Sequence, residues 1–267
     1  MPRVALQAVA DRWRALAWWT LGLVALAAVN IVFWPTVQEQ QEELNRLVES
    51  YPEALLALFG AGGGLDLASE AGFLDSQIFA FMLPIVLLIY AIGFGAGAIA
   101  GEEDRGTMEI LLANPISRRR LALEKAAALA ATVGLLALAV FLVVWLGGLA
   151  VGLEPGVGNL AAAVFALFLL SSGFGALALG IGAATGRRGA AIGIAAAVAL
   201  GGYLLQSLGP LVDALEPWTV LSPFAHYASG DRLREGFDAG AVAILLGLGL
   251  LLVGIAAASF ERRDLRL

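Results

Sequence analysis

Apolar residues run along this chain in long blocks broken by short polar or charged stretches, and six of the blocks hold no Asp, Glu, Lys or Arg. They cover 15–34, 77–100, 126–153, 159–186, 189–212 and 239–260. Each matches the roughly 20 residues that a helix needs to cross a hydrocarbon core. No block shows the alternating pattern of a barrel strand, so the chain reads as an all-α, polytopic membrane protein with six transmembrane helices, one transmembrane domain over 1–267. A signal peptide competes for the first block, because Arg3, Arg12 and Arg14 precede it and Ala25-Leu26-Ala27 resembles a cleavage site. The apolar run continues through Ile31 to Trp34, too long for that reading, and Trp18, Trp19 and Trp34 suit interfacial anchoring.

Before the first block, Leu6, Val9, Ala10, Trp13 and Leu16 recur at helical spacing opposite Arg3, Gln7, Asp11 and Arg14. That pattern predicts an amphipathic elbow helix over 1–14, lying in the interface. A Gln- and Glu-rich stretch predicts a second extramembrane helix from about Val37 to Phe59, followed by a glycine-rich loop at Gly60 to Gly64.

Composition closes off the soluble alternatives. The chain is 60% hydrophobic and 14% charged, against roughly 25% charged in an average soluble domain, and its mean hydropathy is +0.86. It has no Cys, one His and three Met, which excludes a disulfide scaffold and thiol chemistry and disfavours a soft-metal site. With alternate connections on alternate sides, one side carries 13 of the 16 basic residues. The positive-inside bias then places both termini in the cytoplasm. The excess of Arg over Lys fits a high-GC bacterium, hence a bacterial inner membrane.

The blocks lack the intramembrane ionisable groups of proton relays and voltage sensors. Their polar residues, among them Asn30, Tyr90, Thr132, Ser171, Ser172, Thr185, Tyr203, Gln206 and Ser207, are expected to bond neighbouring helices. Small-residue pairs such as Gly97 and Gly101, Gly148 and Gly152, Gly182 and Gly186, and Gly189 and Gly193 are expected at close helix contacts, while the Gly93, Gly95, Gly97 run also fits a hinge or pore wall. Ser171 or Ser172 with the lone His226 suggests an intramembrane protease, but His226 lies in an outside connection with nothing to orient it as a base.

The connection over 102–124 carries the most specific pattern. Thr107 suits a helix cap, Glu109 the positive end of a helix dipole, and Pro115 disfavours helix beyond Asn114. On this short helix Met108, Leu111 and Leu112 share a face that needs a partner. Ser117 is placed to cap a second short helix, with Arg118, Arg119 and Arg120 in its first turn. There each cation opposes the dipole by ~0.3 to 1 kcal/mol, an opposition that anionic headgroups or an acidic partner would offset.

The run from Glu102 and Glu103 through Gly106-Thr107, Leu111-Leu112 and Pro115-Ile116-Ser117-Arg118 to Lys125 resembles the pattern of ABC-2 type permeases, membrane subunits of ATP-binding-cassette transporters. Tyr51-Pro52, Leu221-Ser222-Pro223-Phe224 and Phe260-Glu261-Arg262-Arg263-Asp264-Leu265 extend the likeness over essentially the whole chain. The resemblance implies a half-size permease paired with a second copy or a related permease, as homodimer or heterodimer, and with two ATP-binding subunits. It makes Gly106 to Asn114 a cytoplasmic coupling helix. Met108, Leu111 and Leu112 would enter a groove on the ATPase, and Glu102 and Glu103 would orient the helix. Glu109, Pro115 and Arg118 belong to the same docking segment, and the elbow helix fits the same architecture.

No P-loop is present, since the only lysine, Lys125, stands between Glu124 and Ala126. ATP and magnesium are therefore expected on the partner subunit, with no cofactor on this chain, no metal and no nucleic acid. The resemblance favours an exporter, and charge-free spans favour an amphiphilic, lipid-like or drug-like cargo. Two alternatives lack ATP-driven transport: a structural or regulatory membrane protein, and a passive channel.

Overall fold

The computed structural model describes residues 12–40, 43, 46, 50–52, 55–56, 69–108 and 116–263. Among them there are helices and turns and no strand, and six helices are long and apolar enough to cross a membrane. The expected elbow falls outside the described residues except for its end, where Trp13 already belongs to the first spanning helix, α1 (Trp13–Val32). A short α2 (Trp34–Glu39) follows a break at Phe33, with Pro35 near its start, where the missing N–H costs nothing. Of the predicted outside helix over Val37 to Phe59, the described part is helical to Glu39 and at isolated positions beyond it.

The second span begins earlier than its charge-free block. Ser69 accepts from the Gly72 N–H at 3.1 Å and starts α3 (Glu70–Leu74), whose Phe73 and Leu74 are buried. A π-turn (Asp75–Phe79) leads to α4 (Met82–Ala98). Pro84 lacks the N–H that would bond four residues back, and the helix is rebuilt across Ala80 and Phe81. The Tyr227 hydroxyl donates to the Phe79 carbonyl at this break, at 2.7 Å. After α5 (Ala100–Asp104), the third span is α6 (Arg118–Val151), capped by Ser117, whose hydroxyl accepts from the Arg120 N–H at 3.3 Å.

The cap at Ser117 matches expectation, but the separate second short helix does not occur. Residues 118–125 contain no Pro or Gly, so the helix entered there continues into the span. It ends at Gly152, and α7 (Val157–Thr185) ends at Gly186, each in the left-handed region at φ 71° and 66° that glycine enters without strain. The fifth span is α8 (Arg188–Leu208) and the sixth is α11 (Ala239–Arg262), whose cap Asp238 accepts from the Ala241 N–H at 3.1 Å. Between them two 3₁₀ turns, α9 (Pro223–Ala228) and α10 (Arg232–Glu235), fold back on the bundle.

The second and fourth spans form the centre. Within their most apolar windows 61% and 67% of residues are buried, against 17%, 17% and 22% for the first, fifth and sixth spans. α7 packs against both α4 and α11. The closest crossing is Gly95 against Gly175: a methyl group on Gly95 would lie 2.0 Å from the Gly175 carbonyl oxygen, and one on Gly175 would lie 2.8 Å from Leu129 Cδ2. Of the glycines expected at close contacts, Gly182 packs against Ala100 and Ala96, whereas Gly189 and Gly193 face open space.

Two further expectations are corrected. Trp34 is wholly buried, its ring 4.8 Å from that of Phe73, because the second span's early start covers it; Trp18 is 73% exposed. Asn30 and Thr185 donate to carbonyls four residues back on their own helices rather than to neighbouring ones, whereas Thr132, besides reaching the Ala128 and Leu129 carbonyls, hydrogen-bonds Tyr90 of the second span. Among the described residues Ser171 and Ser172 have no hydrogen-bond partner, and His226 Nε2 lies 3.0 Å from the Val220 carbonyl in the outer connection. No base is thereby placed against either serine.

Candidate functional site

The connection between the second and third spans is rooted in an ionic junction. α5 presents Glu102 and Glu103 on one short helix, half-buried where the bundle ends. Glu102 Oε1 accepts from Lys125 Nζ at 3.2 Å and lies 3.5 Å from Arg105 Nη2, while Oε2 accepts from the Thr107 hydroxyl at 2.5 Å. Burial pushes the Glu102 carboxyl up, but the Thr107 hydrogen bond and the charges of Lys125 and Arg105 outweigh it and hold the group below the ordinary carboxylate range. Lys125 is itself buried, so the lone lysine of the chain spends its charge inside the protein.

Glu103 pairs with Arg263, which follows the last turn of α11. The same guanidinium donates from Nη1 to the Ala183 carbonyl at 2.8 Å and to the Gly182 carbonyl at 3.3 Å, which also accepts from the Gly186 N–H at the end of α7. Arg118 Nη1 donates to the Arg263 carbonyl at 2.5 Å, and Arg120 Nε to Glu124 Oε1 at 2.9 Å. Two acidic residues thus tie the end of the second span to the start of the third and the ends of the fourth and sixth.

Gly106 turns the chain out of this junction at φ 68°. There any Cβ would be strained. Thr107 binds Glu102 through its side chain. Met108, expected on an outward face, is 3% exposed and belongs to the apolar core. Glu109, Leu111, Leu112 and Pro115 lie outside the described residues. Of the predicted site residues, the structure brings together Glu102, Glu103 and Thr107, with Arg118 at the edge of the same junction. Lys125 and Arg263 join the predicted acidic pair without a predicted role of their own, although the only lysine of the chain at the edge of an apolar block is a sign of a buried ion pair.

The other end of the bundle is held by neutral and capping contacts. Burial pushes the Tyr227 phenol well above its ordinary value, so it stays a donor to Phe79. Ser222 donates to the Gly202 carbonyl at 2.7 Å, and Phe224 packs against Phe174 and Tyr203. Between α4 and α8 runs an apolar groove of about 730 Å³, with Ile85, Ile89, Gly93, Leu200 and Tyr203 among its walls. Among the described residues no group of acidic or His side chains forms a metal site.

A family model described as "ABC-2 family transporter protein" matches residues 7–265. No curated protein matches the chain.

Proposed function

Since the chain belongs to the ABC-2 family of transporter proteins, a membrane family that works with an ATP-binding partner, we propose that it is the permease of an exporter for amphiphilic, lipid-like or drug-like molecules. The motor in this reading is a separate ATP-binding subunit, two copies per complex, which carries the ATP and magnesium. It docks on Gly106 to Asn114, with Leu111 and Leu112 as the apolar contacts. A second permease, identical or related, completes the membrane unit, and both termini lie on the cytoplasmic side of a bacterial inner membrane.

The observation that carries this reading is the ionic junction. A docking segment moves a membrane domain only if its base is joined stiffly to several spans. Here Glu102 and Glu103 join the base to the third, fourth and sixth spans as well as the second. Contacts that differ between the open and closed states of an ATPase dimer would then bias a two-state equilibrium of the whole bundle. The groove between α4 and α8 supports the cargo class, because walls almost devoid of polar atoms solvate an acyl chain and leave a desolvated ion uncompensated.

The test is capture of the tagged protein from native membranes in mild detergent, with mass spectrometry and nucleotide turnover. The expected result is one ATP-binding-cassette subunit per permease, lost on Leu111→Asp or Leu112→Asp while the permease stays inserted, and turnover stimulated by amphiphiles. Full ATPase stoichiometry in both variants would overturn the docking segment. Stimulation by inorganic ions alone would overturn the cargo class.

A further inference from the structure

Three arginines at the basic end of the bundle take no part in the junction's tie between spans. Arg12 immediately precedes α1, Arg105 follows α5, and Arg188 opens α8. They converge on one glycine face: a methyl group on Gly97 would lie 3.6 Å from Arg12 Nη2 and 3.7 Å from Arg188 Nε, and one on Gly101 would lie 3.8 Å from Arg105 Nη2. Three elements far apart in sequence therefore bring their cations over two glycines of the second span.

Arg105 shares Glu102, but the charges of the other two are not balanced. Among the described residues neither Arg12 nor Arg188 has a carboxylate within ion-pair distance. Among the described residues the one carboxylate whose charge reaches Arg12 is Glu102, already shared by Lys125, Thr107 and Arg105. Burial and the like charges of Arg105 and Arg188 together make the Arg12 guanidinium less comfortable as a cation than it is in water. An anion with several oxygens relieves this, and guanidinium forks fit the oxygens of a phosphate.

The floor below Arg12 is aromatic. Its guanidinium carbon lies 4.7 Å from the Phe94 ring centre, and Phe94, Tyr90 and Trp19 continue as a chain of ring contacts at 6.2 and 5.5 Å. These rings line the seam between α1 and α4, which touch at few places. Tyr90 and Phe94 are themselves buried, so the acyl chains of a headgroup at the arginines would lie against half-buried Trp19 and the exposed apolar face of α1 at Trp18 and Leu21, which a soluble phosphate does not use. Charge bias places this end at the anionic cytoplasmic leaflet.

We propose that Arg12, Arg105 and Arg188, over Gly97 and Gly101, seat the phosphate of an anionic phospholipid. This site is separate from the ATPase docking segment and stands without it.

The test is native mass spectrometry of the full chain in detergent, titrated with phosphatidylglycerol, phosphatidylcholine or glycerol 3-phosphate. Phosphatidylglycerol is expected to bind about fivefold better than phosphatidylcholine, and Arg12→Gln with Arg188→Gln to remove that preference. Removing two exposed charges elsewhere, Arg119→Gln with Arg187→Gln, is expected to leave binding within about twofold. Arg188→Gln alone, at an exposed position that folding tolerates, is expected to lower it about threefold. Equal binding of the two lipids, an equal loss in the control pair, or no loss in Arg188→Gln would overturn the site. Displacement of phosphatidylglycerol by an equal concentration of glycerol 3-phosphate would overturn the lipid as its occupant.

Discussion

Glu102 divides its two oxygens between the buried Lys125 ammonium and the Thr107 hydroxyl, so one side chain fixes both the third span and the first residues of the outgoing segment. Its pH dependence follows from the sign of its shift. A carboxyl held below its ordinary range in the folded protein stabilises the fold above the unfolded value, about 4.3, and loses that contribution as pH falls through its folded value. The melting-temperature gap between wild type and Glu102→Gln in detergent is therefore expected to be widest at neutral pH and to shrink below pH about 4.3; a gap that widens in acid would contradict this. Lys125→Met is expected to cost about 2 kcal/mol, less than breaking a fully buried pair, because Arg105 and Thr107 remain on Glu102. The lysine's place at the edge of the third apolar block is visible in the sequence, but its partner 23 residues away is not.

The helices depend on where their backbones meet. Gly95 and Gly175 bring α4 and α7 into direct backbone contact, so Gly95→Leu would have to push the helices apart. A cost of about 3 kcal/mol is expected, read as lower thermal stability in detergent, whereas Gly93→Ala, which meets nothing within 4 Å, is expected to be near neutral. Equal stability of the two variants would place the crossing elsewhere. The spacing rule picks pairs four apart on one helix, but the contact that decides this packing lies between helices and leaves no period to read. At the outer break, Tyr227→Phe is expected to cost about 1 to 2 kcal/mol, since the Phe79 carbonyl loses its donor in a buried place. The Ser117 cap was legible, because a cap is a local competition between a side chain and backbone N–H groups. The early start of the second span was not, since Glu70 and Asp75 interrupt its apolar run while Ser69 and the buried Phe73 carry the helix through them.

Across the whole molecule the charge distribution makes a topological prediction that the absence of native cysteine makes easy to read. With Asp213→Cys, a membrane-impermeant maleimide added to intact cells is expected to label the protein. With Arg119→Cys, labelling is expected only after permeabilisation. The reverse pattern would invert the orientation, and with it the leaflet that faces Arg12, Arg105 and Arg188. The first, fifth and sixth spans are barely covered, and the fifth forms one wall of the groove between α4 and α8.

Sequence alone determined the number of crossing helices, the basic side and the absence of a nucleotide-binding loop, because each depends on composition over a stretch of chain and the cost of burying charge in hydrocarbon. Tertiary structure alone decided that Met108 turns inward, that Trp34 is core, and that α6 runs unbroken from Arg118. It also decided that Glu103 meets Arg263, 160 residues away. Those outcomes depend on which surfaces the other spans leave free, and a pattern read along one chain holds no term for the distance between two helices.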